Sequence, residues 1–292
     1  MDGAVVLDKP QGMTSHDVVL AVRRLLGKPR VGHLGTLDPF ATGVLVLLLG
    51  AATRLAQFYR DREKSYEGLI RFGFATDTFD STGRPTSAQQ AVALEVAPLR
   101  RLFQEFIGTR LQQPPPFSAK KVSGVPAYRL ARKGQPIPLE AVPVTIRELE
   151  LFSIEGDCAR FRARVSSGTY IRSLAHELGQ RMGAGAHLAE LRRIAVGEFT
   201  LAQAISLEQL QEQVHRNSAW LIPLEELLPE FPAVVLSDSV AKAASHGNRV
   251  QLDADAPWIR LLDGTSRLLA IAAQEGKNLY HPAVVLNSQS RR

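Results

Sequence analysis

Cysteine is almost missing from this chain of 292 residues: there is one, Cys158. A lone thiol closes no internal disulfide, and such sparing use suits a reducing compartment, the cytoplasm. No Cys-x-x-Cys pair exists and the seven histidines are not spaced as ligands, so a zinc site has no support in the sequence. Long apolar runs are missing as well. None approaches the roughly 20 residues that carry a helix across a bilayer. The first residues set Asp2, Asp8 and Lys9 around a short apolar run, which is not a signal-peptide pattern. No membrane is therefore expected among the partners. Repeats and low-complexity segments are also lacking, and with 45% hydrophobic and 22% charged residues the composition is that of a folded chain.

Positive charge is present in modest excess. The net charge is +6 and the isoelectric point about 9.7, which favours a polyanionic partner. Residues 231–292 hold seven Lys+Arg against five Asp+Glu, leaving 28 against 24 in the rest. The excess is spread along the chain, so a polyanion would lie on a broad face rather than on a tail.

The most informative stretch is Gly32-His33-Leu34-Gly35-Thr36-Leu37-Asp38-Pro39-Phe40-Ala41-Thr42-Gly43. Pro39 biases Asp38 toward an extended backbone, and the apolar run 44–49 that follows reads as a buried strand. A single carboxylate thus stands on a stiff, glycine-bracketed loop. Taken alone, the stretch favours an ordinary Asp-Pro turn.

Along the chain, residues 5–8 read as a strand ending at Pro10 and Gly12. Thr14 or Ser15 caps a helix whose stripe is Val18, Val19, Val22, Leu25 and Leu26. A second helix carries Leu55 and Phe58. Tyr66, Gly68, Ile70 and Phe72 share one face of a strand, and residues 75–85 are a polar loop. Leu99, Leu102, Phe103, Phe106 and Ile107 mark a further helix. Residues 113–121, with three consecutive prolines, form a stiff basic connection, and one or two helical turns follow at 128–133. Two strands are expected within 142–155. In 159–166 Arg160, Arg162 and Arg164 alternate with apolar residues; they are either a solvated face or an RNA-facing one. Arg172 falls in the first turn of a helix, where a cation opposes the helix dipole, so a negative group is expected beside it. Helices are expected near 206–214 and 224–228. Beyond Pro229-Glu230-Phe231-Pro232, five short apolar runs separated by Gly, Asp and Pro indicate a small β-rich unit at 231–286.

Seven motifs together resemble the TruB family of bacterial tRNA pseudouridine-55 synthases. They are Leu7-Asp8-Lys9-Pro10-Gln11-Gly12-Met13-Thr14-Ser15, the Gly32 to Gly43 stretch, Lys64-Ser65-Tyr66, Thr76-Asp77-Thr78-Phe79-Asp80, Pro116-Phe117-Ser118-Ala119-Lys120-Lys121, Ser167-Gly168-Thr169-Tyr170-Ile171-Arg172, and Gly185-Ala186-His187-Leu188 with Leu191-Arg192-Arg193. They occur in the family's order. One departure is Leu34, where the family usually has threonine.

The resemblance implies an α+β fold: a mixed, largely antiparallel sheet with flanking helices and a central cleft in a catalytic domain at 1–230. It also implies an RNA-binding PUA-like pseudobarrel at 231–292. The implied reaction moves the glycosidic bond of the T-loop uridine of tRNA from N1 to C5, with no cofactor. Asp38 is the implied nucleophile or acid–base centre, Arg172 its ion-pair partner, and Tyr66 the residue packed on the flipped base near C5. His33 is placed around the flipped nucleotide, and Tyr170 and Leu191 in the pocket wall. Lys9 and Lys121 are implied to bear on phosphates or on pocket structure. The expected partner is the T-stem-loop of tRNA, with no obligate protein partner and a monomeric enzyme. Two other readings stay open at this point: an RNA-binding or tRNA-folding protein without catalysis, and a hydrolase pairing Asp38 with Asp77 or Asp80.

Overall fold

A computed structural model describes residues 1–27, 30–118, 120–122, 124–131, 139–216 and 220–286. The chain opens with β1 (Gly3–Lys9), α1 (Ser15–Leu25), β2 (Val31–His33) and β3 (Thr42–Leu49), followed by a 3-10 helix at Gly50–Tyr59 and β4 (Lys64–Phe72). Next come α2 (Val96–Glu105), β5 (Gly108–Gln112), β6 (Lys121–Val122), β7 (Val125–Pro126), α3 (Ala127–Ala131), β8 (Val142–Glu155) and β9 (Cys158–Val165). Then follow α4 (Ile171–Arg181), β10 (Ala186–Val196), β11 (Phe199–Thr200), α5 (Leu207–His215) and β12 (Ile222–Pro223). The last part holds β13 (Ala233–Val235), α6 (Asp238–Ser245), β14 (Val250–Gln251), β15 (Trp258–Leu262), β16 (Leu268–Gly276) and β17 (Leu279–Val285).

Ten strands make one sheet in the order β12-β1-β3-β10-β4-β9-β8-β5, with β2 added on β3 and β11 on β10. Every pairing in it is antiparallel except β3 with β10. The fold is thus the expected α+β arrangement with a mixed, largely antiparallel sheet. β3 lies deep inside it because both its faces are covered. Val44, Val46 and Leu48 pack into one apolar cluster, and Leu45, Leu47 and Leu49 into another. That double burial is why the run lacks polar alternation. β4 alternates as expected, with Tyr66, Gly68, Ile70 and Phe72 inward.

Several local readings change. Residues 142–155 form one strand rather than two. Ile146 and Leu149 are both buried although three residues apart, because register shifts between Ile146 and Glu148 and between Leu151 and Ser153 re-phase the chain without ending it. Residues 50–59 and 224–226 are 3-10 rather than α-helix. α6 was not legible, since its stripe is mostly alanine. Two arginines of β9 meet glutamates on or just before neighbouring strands: Arg162 pairs with Glu67 of β4 at 2.6 Å, and Arg164 with Glu63, just before β4, at 2.9 Å and with Glu148 of β8 at 2.6 Å. These half-exposed pairs are worth roughly 0–1 kcal/mol each. They make this face a charge-balanced one rather than a bare basic surface.

β13 to β17 form a second sheet. It does not stand apart from the first. Phe58 of the 3-10 helix meets Trp258 edge-on at 5.0 Å and Phe231 at 5.6 Å. Leu268, Ile271 and Val284 share a cluster with Val44 and Val46.

The parallel joint between β3 and β10 sets Gly43 against Arg193. Gly43 has φ +100°, and a Cβ there would collide with the Arg193 carbonyl oxygen. Gly43→Ala is expected to destabilise the protein by about 1–3 kcal/mol, read as a lower urea midpoint with unchanged slope; an unchanged midpoint would remove the joint from this account.

Candidate active site

The loop that carries Asp38, between β2 and β3, is tied on several sides. Ser15 at the start of α1 accepts from the Leu37 amide at 2.8 Å and donates to the Leu37 carbonyl at 3.2 Å. The Gly12 amide donates to the Pro39 carbonyl at 2.8 Å. Leu37, Phe40 and Ala41 are buried in the main core. Leu34, the departure from the family pattern, has its side chain inside the apolar cluster behind β3, so its methyl groups occupy a dry site.

Lys9 is fully buried. Its ammonium donates to the carbonyls of Pro10 at 2.8 Å, Met13 at 2.7 Å and Pro39 at 3.3 Å. Burial pushes its pKa down to about 8, with Asp38 acting the other way. Of its two implied roles, the geometry fits support of the pocket and leaves no free ammonium for a phosphate. Lys121 opens β6, but its side chain lies outside the described residues.

Arg172 stands at the second position of α4 and is buried. Its Nε lies 2.8 Å from Asp38 Oδ2, and Nη2 donates to Asp38 Oδ1 at 3.3 Å. The same guanidinium donates to the carbonyls of Thr78 at 3.0 Å and Phe117 at 2.9 Å. It also faces Asp80 Oδ2 at 3.5 Å. The negative partner that the dipole argument requires is therefore a pair of aspartates. Burial pushes the Asp38 carboxyl above the ordinary aspartate value; Arg172 opposes this, Asp80 adds to it, and Lys9 opposes it.

Asp80 did not enter the expected site, though its motif did. Its Oδ1 accepts from Thr78 Oγ1 at 2.8 Å and from Thr82 through the amide at 2.9 Å and the hydroxyl at 2.5 Å. Asp77 accepts from the Arg84 amide at 2.8 Å. With both acids engaged, neither is a free partner for Asp38, and the two-carboxylate hydrolase reading loses its second group.

Asp38, Tyr66, Arg172, His33, Tyr170 and Leu191 all line one cavity of about 490 Å³, a size usual for small-molecule sites. Tyr66 comes from β4 and Leu191 from β10, whose facing partner is Gly68. Tyr170 precedes α4, with its backbone amide and carbonyl both held by the Gln112 side chain at 2.8 and 3.0 Å. His33 keeps a buried Nδ1 without a partner, and burial holds its pKa below the ordinary value. Lys64 and Arg193 also line this cavity and were not singled out from sequence, where each reads as one more basic residue of a strand.

A family model described as TruB family pseudouridylate synthase (N terminal domain) matches residues 23–171, and one described as tRNA pseudouridylate synthase B C-terminal domain matches 172–229. The chain belongs to the TruB family of pseudouridylate synthases. It is 48% identical to tRNA pseudouridine synthase B of Solibacter usitatus (strain Ellin6076), over 98% of this chain and 100% of that one. It is 40% identical to that of Aquifex aeolicus (strain VF5), over 86% and 87%. Among solved structures, a chain of a Cbf5-Nop10-Gar1 complex superposes with a TM-score of 0.72 at 27% identity, covering 94% of this chain and 79% of that one. In this TruB-family chain, then, the loop that carries Asp38 is clamped by Lys9, Ser15 and Arg172.

The Lys9 geometry makes a distinction that can be measured. Lys9→Met is expected to lower turnover at least about tenfold by releasing the Asp38 loop, while the slope of log binding constant against log salt stays as in the parent. A lysine on a phosphate would instead reduce that slope by about 1, and such a drop would overturn the supporting role.

Proposed function

We propose that the chain is a tRNA pseudouridine-55 synthase. It isomerises the T-loop uridine of tRNA by detaching the base from C1′ at N1 and rejoining it through C5. The observation that carries this reading is one carboxylate, Asp38, held on a buried guanidinium at the edge of a cavity that also presents a tyrosine and a leucine side chain. An isomerisation that exchanges one glycosidic bond for another needs a positioned carboxylate and a proton acceptor.

Asp38 serves as the nucleophile or acid–base centre. For nucleophilic work it must be ionised in a largely dry place, and the Arg172 guanidinium favours that form. The target uridine has to leave its stack to reach Asp38. Tyr66 then packs on the flipped base and lies toward C5, His33 stands around the flipped nucleotide, and Tyr170 and Leu191 line the pocket. The T-stem-loop is recognised by its shape and its splayed bases, with help from the 231–292 segment acting as a PUA-like RNA-binding unit. The enzyme acts as a monomer in the cytoplasm, where its substrate is made, and no obligate protein partner is needed. Assistance in tRNA folding accompanies catalysis.

The test is pseudouridine formation at the T-loop of an unmodified tRNA transcript. The parent is expected to give stoichiometric product, and Asp38→Asn to bind the same transcript while turning over slower by a factor of about 10⁴ or more. Binding by the parent without product would mark an RNA-binding protein and overturn the enzymatic reading. Full activity in Asp38→Asn would overturn the site.

A further inference from the structure

Arg193 is completely buried and no carboxylate among the described residues acts on it. A guanidinium in that position is costly unless something compensates it. Two of its nitrogens are engaged: Nε donates to the Val44 carbonyl at 2.8 Å and Nη2 to the Gly35 carbonyl at 3.0 Å. Nη1 has no hydrogen-bond partner of good geometry. Across the sheet the partner of Arg193 is Tyr66: the two residues are directly opposite in the antiparallel β4–β10 register, so their side chains leave the same face, and both line the cavity that holds Asp38.

A second cation stands close by. Lys64, at the start of β4, donates to the Arg62 carbonyl at 2.9 Å and to Ser167 Oγ at 3.2 Å. Burial and the charge of Arg193 push its pKa down to about 8. Gly35, at φ +93°, closes over both; a Cβ there would lie 3.3 Å from Lys64 Cε and 3.4 Å from Arg193 Nη1. The cavity thus has two charge systems. Arg172 sits between two aspartates, whereas Arg193 and Lys64 have excess positive charge and a tyrosine hydroxyl.

We propose that Arg193 positions the Tyr66 hydroxyl and stabilises negative charge on it while that oxygen takes the proton from C5 of the isomerising base. This rests on the reading of Tyr66 given under Proposed function. Once C1′ has joined C5, that carbon carries both the sugar and its hydrogen. The C5–H bond breaks and its electron pair forms the C5–C6 double bond. The electrons of the C6–N1 double bond move to N1, which takes up a proton. The C5 proton passes to the Tyr66 oxygen, whose own proton has gone to solvent water at the mouth of the cavity, and water gives N1 its proton, so the net change is one proton moved from C5 to N1. A phenolate in a dry pocket needs a fixed cation beside it, and a guanidinium keeps its proton where an ammonium does not. Arg193 is a positioning residue here, acting through Tyr66 and tying it to Gly35 of the Asp38 loop.

The experiment is single-turnover conversion of a tRNA transcript with either ordinary or C5-deuterated uridine at the target. Arg193→Gln is expected to slow product formation by about 10²-fold or more, the usual share of one acid–base step, with a deuterium isotope effect larger than the parent's. Arg193→Lys restores part of the rate and part of the difference. A residue that only braces the pocket would slow both substrates equally, so a parental isotope effect in both variants overturns the proposal. Should Arg193→Gln fail to fold, judged by circular dichroism and melting, Arg193→Lys decides alone on the same criterion. Tyr66→Phe separates the two levels of the argument: parental turnover in that variant would remove Tyr66 from the C5 step, whatever Arg193 does.

Discussion

A buried guanidinium shared by two aspartates is the interaction on which the rest of the site depends. Arg172 reaches Asp38 from the β2–β3 loop, Asp80 from the 75–85 loop, and the Phe117 carbonyl from the connection after β5. Three segments far apart in sequence are thereby fixed against the first turn of α4. A cation is disfavoured there by the helix dipole by roughly 0.3–1 kcal/mol, and two carboxylates more than offset it. Removing one partner of such a buried set typically costs about 3–5 kcal/mol, because the others are left charged and dry. The cost to function is larger than the cost to folding, since Asp38 loses both its orientation and the charge that keeps it ionised.

The large sheet turns this local arrangement into a rigid one. β3 is covered on both faces, so the loop that precedes it starts from an immobile strand. β10 lies between β3 and β4 and delivers Leu191 and Arg193 to the cavity that Tyr66 enters from β4. The opposite wall is the 3-10 helix 50–59, whose residues Ala56, Gln57 and Tyr59 line the cavity. Its Phe58 is packed against Phe231 and Trp258, so the last sheet braces a wall of the site.

Much of this was legible in the sequence, for identifiable reasons. Tyr66, Gly68, Ile70 and Phe72 alternate strictly, and five apolar runs after Pro232 gave five strands, because half-buried strands impose a period of two. Asp38 stood out as a lone acid before a proline in a glycine-bracketed loop. Arg172 stood out because its charge opposes its helix. Residues 142–155 were less legible, since a bulge shifts the apolar phase just as a strand break would. Asp80, Lys64 and Arg193 stood in the motifs but without a place in the implied site, because local sequence does not report what lies across a sheet. Each looks like a surface charge until β10 and the 75–85 loop are folded over it. For Lys9 the sequence left two roles open, phosphate contact and pocket support; only the folded chain shows that three carbonyls of its own turn and of the Asp38 loop enclose it.

The central claim is that Arg172 holds down a carboxyl that burial would otherwise neutralise. Titration of the Asp38 carboxyl by carbon NMR, in protein labelled at aspartate, reads this directly and needs no turnover. In the parent the midpoint is expected above the ordinary aspartate value, as burial dictates. In Arg172→Met it should rise further, because the group that favours the ionised form is gone and Asp80 still disfavours it. A midpoint that stays put or falls on removing Arg172 would contradict the account.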